Sequence, residues 1–84
     1  MATRKPEKVF RIGYVTASVF TREVDTDDGK LTLRSVNLQK RYIDDEEVKY
    51  TSSFGLAELP QALRALQLAT NYVEQQEATV SLND

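Results

Sequence analysis

The stretch Val48-Lys49-Tyr50-Thr51-Ser52-Ser53-Phe54-Gly55-Leu56-Ala57-Glu58-Leu59-Pro60-Gln61-Ala62-Leu63 decides the fold. Its first half alternates, with Val48, Tyr50, Ser52 and Phe54 opposing Lys49, Thr51 and Ser53, which is the period of a strand. After Phe54 the apolar period changes from two to about 3.6, the period of a helix. Gly55 marks the break. Pro60 lacks a backbone donor but is harmless in a first helical turn, and Glu58 places favourable charge near the positive end of the helix. The spacing predicts a helix running to about Gln76. Its stripe Leu56, Leu59, Leu63, Leu66, Ala69 and Val73 is expected to pack on a sheet. A second set, Ala62, Ala65, Leu68 and Tyr72, widens the apolar arc beyond what one sheet face can cover.

Upstream, the chain reads as strands. Lys8 to Val24 is rich in β-branched and aromatic residues and alternates for most of its length. Val15, Ala17 and Val19 fall on one face, and Tyr14, Thr16, Ser18 and Phe20 on the other. Phe10 and Ile12 are out of phase with the later apolar positions, and a bulge at Gly13 would return them to the same side. Asp25-Thr26-Asp27-Asp28-Gly29-Lys30 is hairpin chemistry. A calcium loop would need a Glu at its twelfth position, where Val36 stands, and Gly29 arrives one place early. Leu31 to Tyr42 is a second strand, with Val36, Leu38, Lys40 and Tyr42 opposing Leu33, Ser35, Asn37, Gln39 and Arg41. Ile43-Asp44-Asp45-Glu46-Glu47 is an acidic turn before a third strand, Val48 to Phe54. The fold class is therefore α+β: an antiparallel meander of three strands, or four if the first run splits, followed by one C-terminal helix packed on it. The single domain spans residues 8–76. Residues 1–7 read as a disordered basic arm and 77–84 as a flexible tail.

Composition narrows the function. Eighty-four residues form one domain with a small core. There is no cysteine or histidine, so disulfides, Cys/His zinc sites and Ser-His or Cys-His nucleophiles are excluded. Oligomerisation is the remaining common route to stability, and a homodimer is expected. The carboxylates that could do acid–base work, Asp25, Asp27, Asp28 and Asp44 through Glu47, fall in wet hairpin tips, where they read as solubilising turns rather than catalytic groups. The three glycines are too far apart to cradle phosphate. The chain reads as a non-enzyme with no cofactor and no small-molecule substrate. The longest uncharged run, Ile12 to Thr21, falls well short of the ~20 residues of a spanning helix. The N-terminus lacks the apolar core of a signal peptide, so the expected compartment is the cytoplasm.

Charge is divided unevenly along the chain. Residues 1–43 hold nine Lys/Arg against five acids, whereas residues 44–84 hold only Lys49 and Arg64 against eight. The strand-rich half is thus +4 and the helical half −6, which gives the formal net charge of −2. Opposite the apolar sheet face, the pattern assigns Tyr14, Thr16, Ser18, Phe20, Asn37, Gln39, Arg41, Lys49, Thr51 and Ser53 to the outer side. Aromatic rings, amides and cations together suit single-stranded DNA or RNA: rings stack on bases, amides read base edges and cations neutralise phosphates. Tyr14, Phe20, Arg22, Asn37, Gln39, Arg41 and Lys49 are the candidate nucleic-acid contacts. The alternative is a protein-interaction module that docks a partner on the same face. A third reading is a plain solvated sheet, with Arg41 and Lys49 paired to cross-strand acids.

The segments Lys40-Arg41-Tyr42-Ile43-Asp44, Thr51-Ser52-Ser53-Phe54-Gly55 and Leu59-Pro60-Gln61-Ala62-Leu63, with Ile12-Gly13 and Val15-Thr16-Ala17, resemble a group of small bacterial proteins of uncharacterised function. Those proteins pair an Arg-Tyr hairpin with a Ser-Phe-Gly helix start. The layout is also similar to the single-stranded-DNA-binding folds of the positive cofactor 4, Whirly and Pur-alpha types, which set four strands against each helix. The similarity implies homodimerisation through the helix, at Ala65, Leu68 and Tyr72, with the sheet turned to nucleic acid.

Overall fold

The computed structural model describes residues 5–77. Four strands, β1 (Lys8–Ile12), β2 (Val15–Thr26), β3 (Gly29–Asp44) and β4 (Glu47–Thr51), are followed by one helix, α1 (Leu59–Glu77). They form an antiparallel meander in the order β1-β2-β3-β4. The first strand run does split at Gly13. A two-residue turn replaces the expected bulge: Ile12 pairs with Val15, Gly13 has a φ of 60° and Tyr14 is not in the left-handed region. Glycine at the first central position is what a type II′ hairpin requires. The hairpin returns Phe10 and Ile12 to the face of Ala17 and Val15, the out-of-phase pattern that a bulge would also have explained.

Register makes the sheet a staggered staircase. β1 pairs only with Val15–Val19 of β2, and β4 only with Lys40–Asp44 of β3. Three strands overlap fully only where Val36–Lys40 of β3 lies beside Val15–Val19. Beyond that block the β2–β3 hairpin continues alone to its turn at Asp27-Asp28. The β3–β4 hairpin extends in the opposite direction to Asp45-Glu46. Both residues of that second turn have positive φ, 52° and 64°, in a two-residue loop that glycine fits better. Glu46→Gly is expected to raise stability by about 0.5–1 kcal/mol, read as a higher urea midpoint at unchanged slope.

α1 lies chiefly across β1 and β2, with a lighter contact on β3. Val15, Ala17 and Val19 are fully buried beneath Ala62, Ala65 and Ala69, and Phe10, Ile12, Val36, Leu38, Phe54, Tyr72 and Val73 surround them. The helix is rotated relative to the sequence-based expectation. Ala69 and Val73 of the expected stripe do meet the sheet, but Leu56, Leu59, Leu63 and Leu66 are 86%, 50%, 59% and 40% exposed, and Ala62 and Ala65 face the sheet in their place. Ala65, expected at a dimer interface, is sealed inside the chain. Tyr72 meets the Phe10 ring edge-on, with centroids 6.0 Å apart, and Leu68 is half-buried.

Small side chains on both layers explain the rotation, because they let helix and sheet backbones approach closely. Polar ties then fix the helix in place. The Gln61 carbonyl accepts the Tyr14 backbone N–H at 3.2 Å and occupies the space a side chain at residue 13 would need. At the helix start, Glu58 accepts from the Gly55 N–H at 2.8 Å and from Lys40 at 3.0 Å. At the other end Arg34 grips Glu7 with two hydrogen bonds, 2.8 and 3.2 Å, and lies 3.8 Å from Glu77. The expected basic arm therefore ends in an anchored residue: Glu7 also donates its backbone N–H to Val19. Arg4 and the tail from residue 78 lie outside the described residues. Among those described, no helix is long and apolar enough to cross a membrane.

Candidate nucleic-acid interface

Alternation and register assign every strand residue to a face. On the side away from α1 stand Val9 and Arg11 of β1, and Thr16, Ser18, Phe20, Arg22 and Val24 of β2. The odd-numbered residues of β3 from Leu31 to Ile43 and, from β4, Val48 and Tyr50 complete it. The charged residues at these strand positions are Arg11, Arg22 and Arg41, and no acid is among them. None of the three forms an ion pair with another described residue. All three are exposed.

The helix side is the opposite case. Lys8, Lys30, Arg34, Lys40 and Lys49 stand there with Glu23, Asp25, Asp44 and Glu47. Four of those five cations are matched: Lys30 to Glu23, Arg34 to Glu7 and Glu77, Lys40 to Glu58, and Lys49 to Asp44. The fifth, Lys8, lies 6.0 Å from the ring centroids of Phe10 and Tyr72. The sheet thus sorts its cations by face: four of the five on the helix side are matched to acids, and the three on the outer side, all arginines, form no ion pair with another described residue.

Phe20, Arg22, Asn37, Gln39 and Arg41 are accordingly brought to one surface, and Tyr14, in the β1–β2 turn, stands at its rim, lining one cleft with Arg11, Thr16 and Arg41 and another with Lys40, Tyr42 and Glu58. Lys49 is a correction. It pairs across the sheet with Tyr42, and Thr51 pairs with Lys40, so both stand on the helix side. The sequence-based assignment assumed that Val48 and Tyr50 fill the core. β4 instead lies past the end of the helix-covered block, and Phe54 reaches the core from the irregular segment after it. Two residues missed by sequence reasoning, Arg11 and Tyr50, join the outer face. The signal for Arg11 was Gly13: a tight turn there sets Arg11 opposite Thr16. Rows then cross the strands, Arg11–Thr16–Gln39 and Arg41–Tyr50. The far end of the same face is more apolar, with Leu31 and Leu33 exposed around Arg22.

Resolved pKa shifts belong to the framework. Hydrogen bonding to Arg34, opposed in part by desolvation, lowers the Glu7 carboxyl below its ordinary value. Lys40 and then the Gly55 N–H do the same for Glu58, whereas burial pushes the Tyr72 phenol up. A lowered carboxylate pKa stabilises the fold at pH above the unfolded-state value, and that contribution is lost as pH falls through the folded-state value. Acid unfolding is therefore expected to begin just below the ordinary glutamate pKa. Urea midpoints from pH 7 to pH 3 measure it. The variant Glu58→Gln should show a shallower fall with acid than the parent.

Compared with protein families, curated proteins and solved structures, the chain matches none, and nothing in those comparisons connects it to the single-strand-binding folds its layout resembles.

Proposed function

We propose that the protein is a homodimeric module that binds single-stranded DNA or RNA through the outer sheet face. The observation that carries the proposal is the segregation of Arg11, Arg22 and Arg41, without one acid, onto a face that also bears Tyr14, Phe20, Tyr50, Asn37 and Gln39. Arginine suits such a face, since its guanidinium binds phosphate oxygens in pairs and also stacks on planar rings. A flat sheet with aromatic groups offers single strands the stacking platform that a closed duplex cannot use. The whole act is binding, with no covalent step, and the expected setting is the cytoplasm. Fluorescence anisotropy of a labelled oligo-dT or oligo-U at two salt concentrations tests it. Affinity should fall as salt rises, with a log–log slope of about −2 for three phosphate contacts on a single strand. Absence of binding at low salt would overturn the proposal.

Support for the dimer lies on the other layer. The two largest fully buried side chains are valines, and a core this small rarely supplies more than about 3–5 kcal/mol. Leu59, Leu63 and Leu66 on α1, with Leu56 in the turn just before it, are exposed beside that core. A second copy, always present at equal concentration, is the simplest cover for them, leucine against leucine across a two-fold axis. Sedimentation should give a dimer that Leu63→Asp dissociates. A monomeric parent at tens of micromolar would refute it. Exposed Leu31 and Leu33 favour a second reading, a protein partner docked on the outer face of the β2–β3 hairpin. Under that reading Leu33→Asp abolishes capture of one stoichiometric partner from nuclease-treated lysate, and nucleic acid does not bind.

A further inference from the structure

The stagger of the sheet creates a notch in the outer face. β2 begins at Val15 opposite Lys40, whereas β3 continues four residues further, paired only with β4. At the next position the β1–β2 turn takes the place of β2, and the Arg41 backbone N–H donates to the Tyr14 carbonyl at 2.9 Å. Turn, strand and hairpin enclose a cleft of about 200 Å³ lined by Arg11, Gly13, Tyr14, Thr16, Arg41 and Tyr50. Two guanidinium-bearing residues thus border one small space with no carboxylate in its lining. Like charges brought together in this way repel, and an anion between them turns the repulsion into attraction. The space is below the ~300–1,000 Å³ of drug-sized pockets, so it suits one small unit rather than a stretch of polymer. Tyr14 and Tyr50, 68% and 60% exposed, border it with accessible rings.

We propose that this notch is a single-phosphate subsite, taking one phosphate of a nucleotide between Arg11 and Arg41 with the attached base against a neighbouring tyrosine ring. It rests on the strand-binding reading and deepens it. The notch fixes one nucleotide of the strand, and Arg22, on the β2–β3 hairpin away from it, contributes a looser contact. The Thr16 hydroxyl, a donor and acceptor in the lining, is suited to a remaining phosphate oxygen.

Two experiments on the full chain separate the subsite from the broader reading. In the first, backbone amide resonances of Gly13, Thr16 and Arg41 are followed while thymidine monophosphate, and then thymidine, is added. The nucleotide should shift them saturably, and the nucleoside, lacking phosphate, should not. In the second, an oligo-dT of about 12 nucleotides, within the ~4–16 range of single-strand sites, is titrated against single variants. Arg11→Gln and Arg41→Gln should each weaken it about 10-fold, the scale of one charge-assisted hydrogen bond, and Arg22→Gln only about 2–3-fold. Equal losses in all three variants with no nucleotide-induced shift would overturn the subsite and leave strand binding intact. Saturable shifts with no oligonucleotide binding would overturn strand binding and leave the subsite standing.

Discussion

Replacing Arg11, Arg22 and Arg41 together by glutamine is expected to abolish single-strand binding at moderate salt and leave the fold unchanged. Each arginine is exposed and forms no ion pair with another described residue, so its removal orphans no partner. A charge-assisted contact contributes about 1.5 kcal/mol, roughly tenfold in affinity, for each of Arg11 and Arg41, and the looser Arg22 contact about 2–3-fold, so the three amount to roughly 200–300-fold. Salt dependence should disappear with the affinity, because three fewer counterions are released. Lys49→Gln is the matched control. It removes one cation of the same sheet, yet its side chain stands on the helix side bound to Asp44 at 3.2 Å, and binding should change by less than about twofold. Anisotropy titrations of parent, triple variant and Lys49→Gln, with circular dichroism as the check on folding, measure all of this.

Ala65→Leu is expected to cause a large loss of stability. Ala65 is fully buried where α1 meets Val15, Ala17 and Val19, and the alanine arc sets the distance between the layers. An inserted isobutyl group forces helix and sheet apart at a cost of about 1–3 kcal/mol. Against the ~3–5 kcal/mol that a core of this size supplies, that is a large share. Leu63→Ala is the informative contrast. Leu63 is 59% exposed, so its truncation leaves the core intact and should instead change how strongly the unfolding midpoint depends on protein concentration. Denaturant melts at two protein concentrations distinguish the two responses.

Those two substitutions also mark where the sequence was legible. The period change at Gly55 located the strand-to-helix switch, and alternation assigned Val15, Ala17, Val19, Val36 and Leu38 to the correct sheet face. Helix orientation was not legible, because α1 carries two adjacent apolar arcs and hydropathy favours the leucines. What decides between them is distance: alanine over valine packs closer than leucine over valine, and Gln61, Glu58 and Arg34 hold the result by contacts across 18 to 47 residues of sequence. The candidate site was half legible for a related reason. Thr16, Ser18, Phe20, Asn37, Gln39 and Arg41 follow from period alone within β2 and β3. Lys49 and Arg11 depend on register between strands, which turns fix and composition does not. The early basic-half polarity therefore resolves into something narrower. Four cations, Lys30, Arg34, Lys40 and Lys49, serve the framework as ion-pair partners, and three arginines stand on the outer face.

The face that binds is the central claim, and photo-crosslinking tests it most directly. An iodouracil-substituted single strand is bound to the protein, irradiated, and the adducts are mapped by peptide mass spectrometry. Adducts at Tyr14, Phe20 or Tyr50, suppressed in the Arg11/Arg22/Arg41 glutamine variant, are the predicted result. Adducts confined to the helix layer, at Tyr72 or Tyr42, or none at all at low salt, would contradict it.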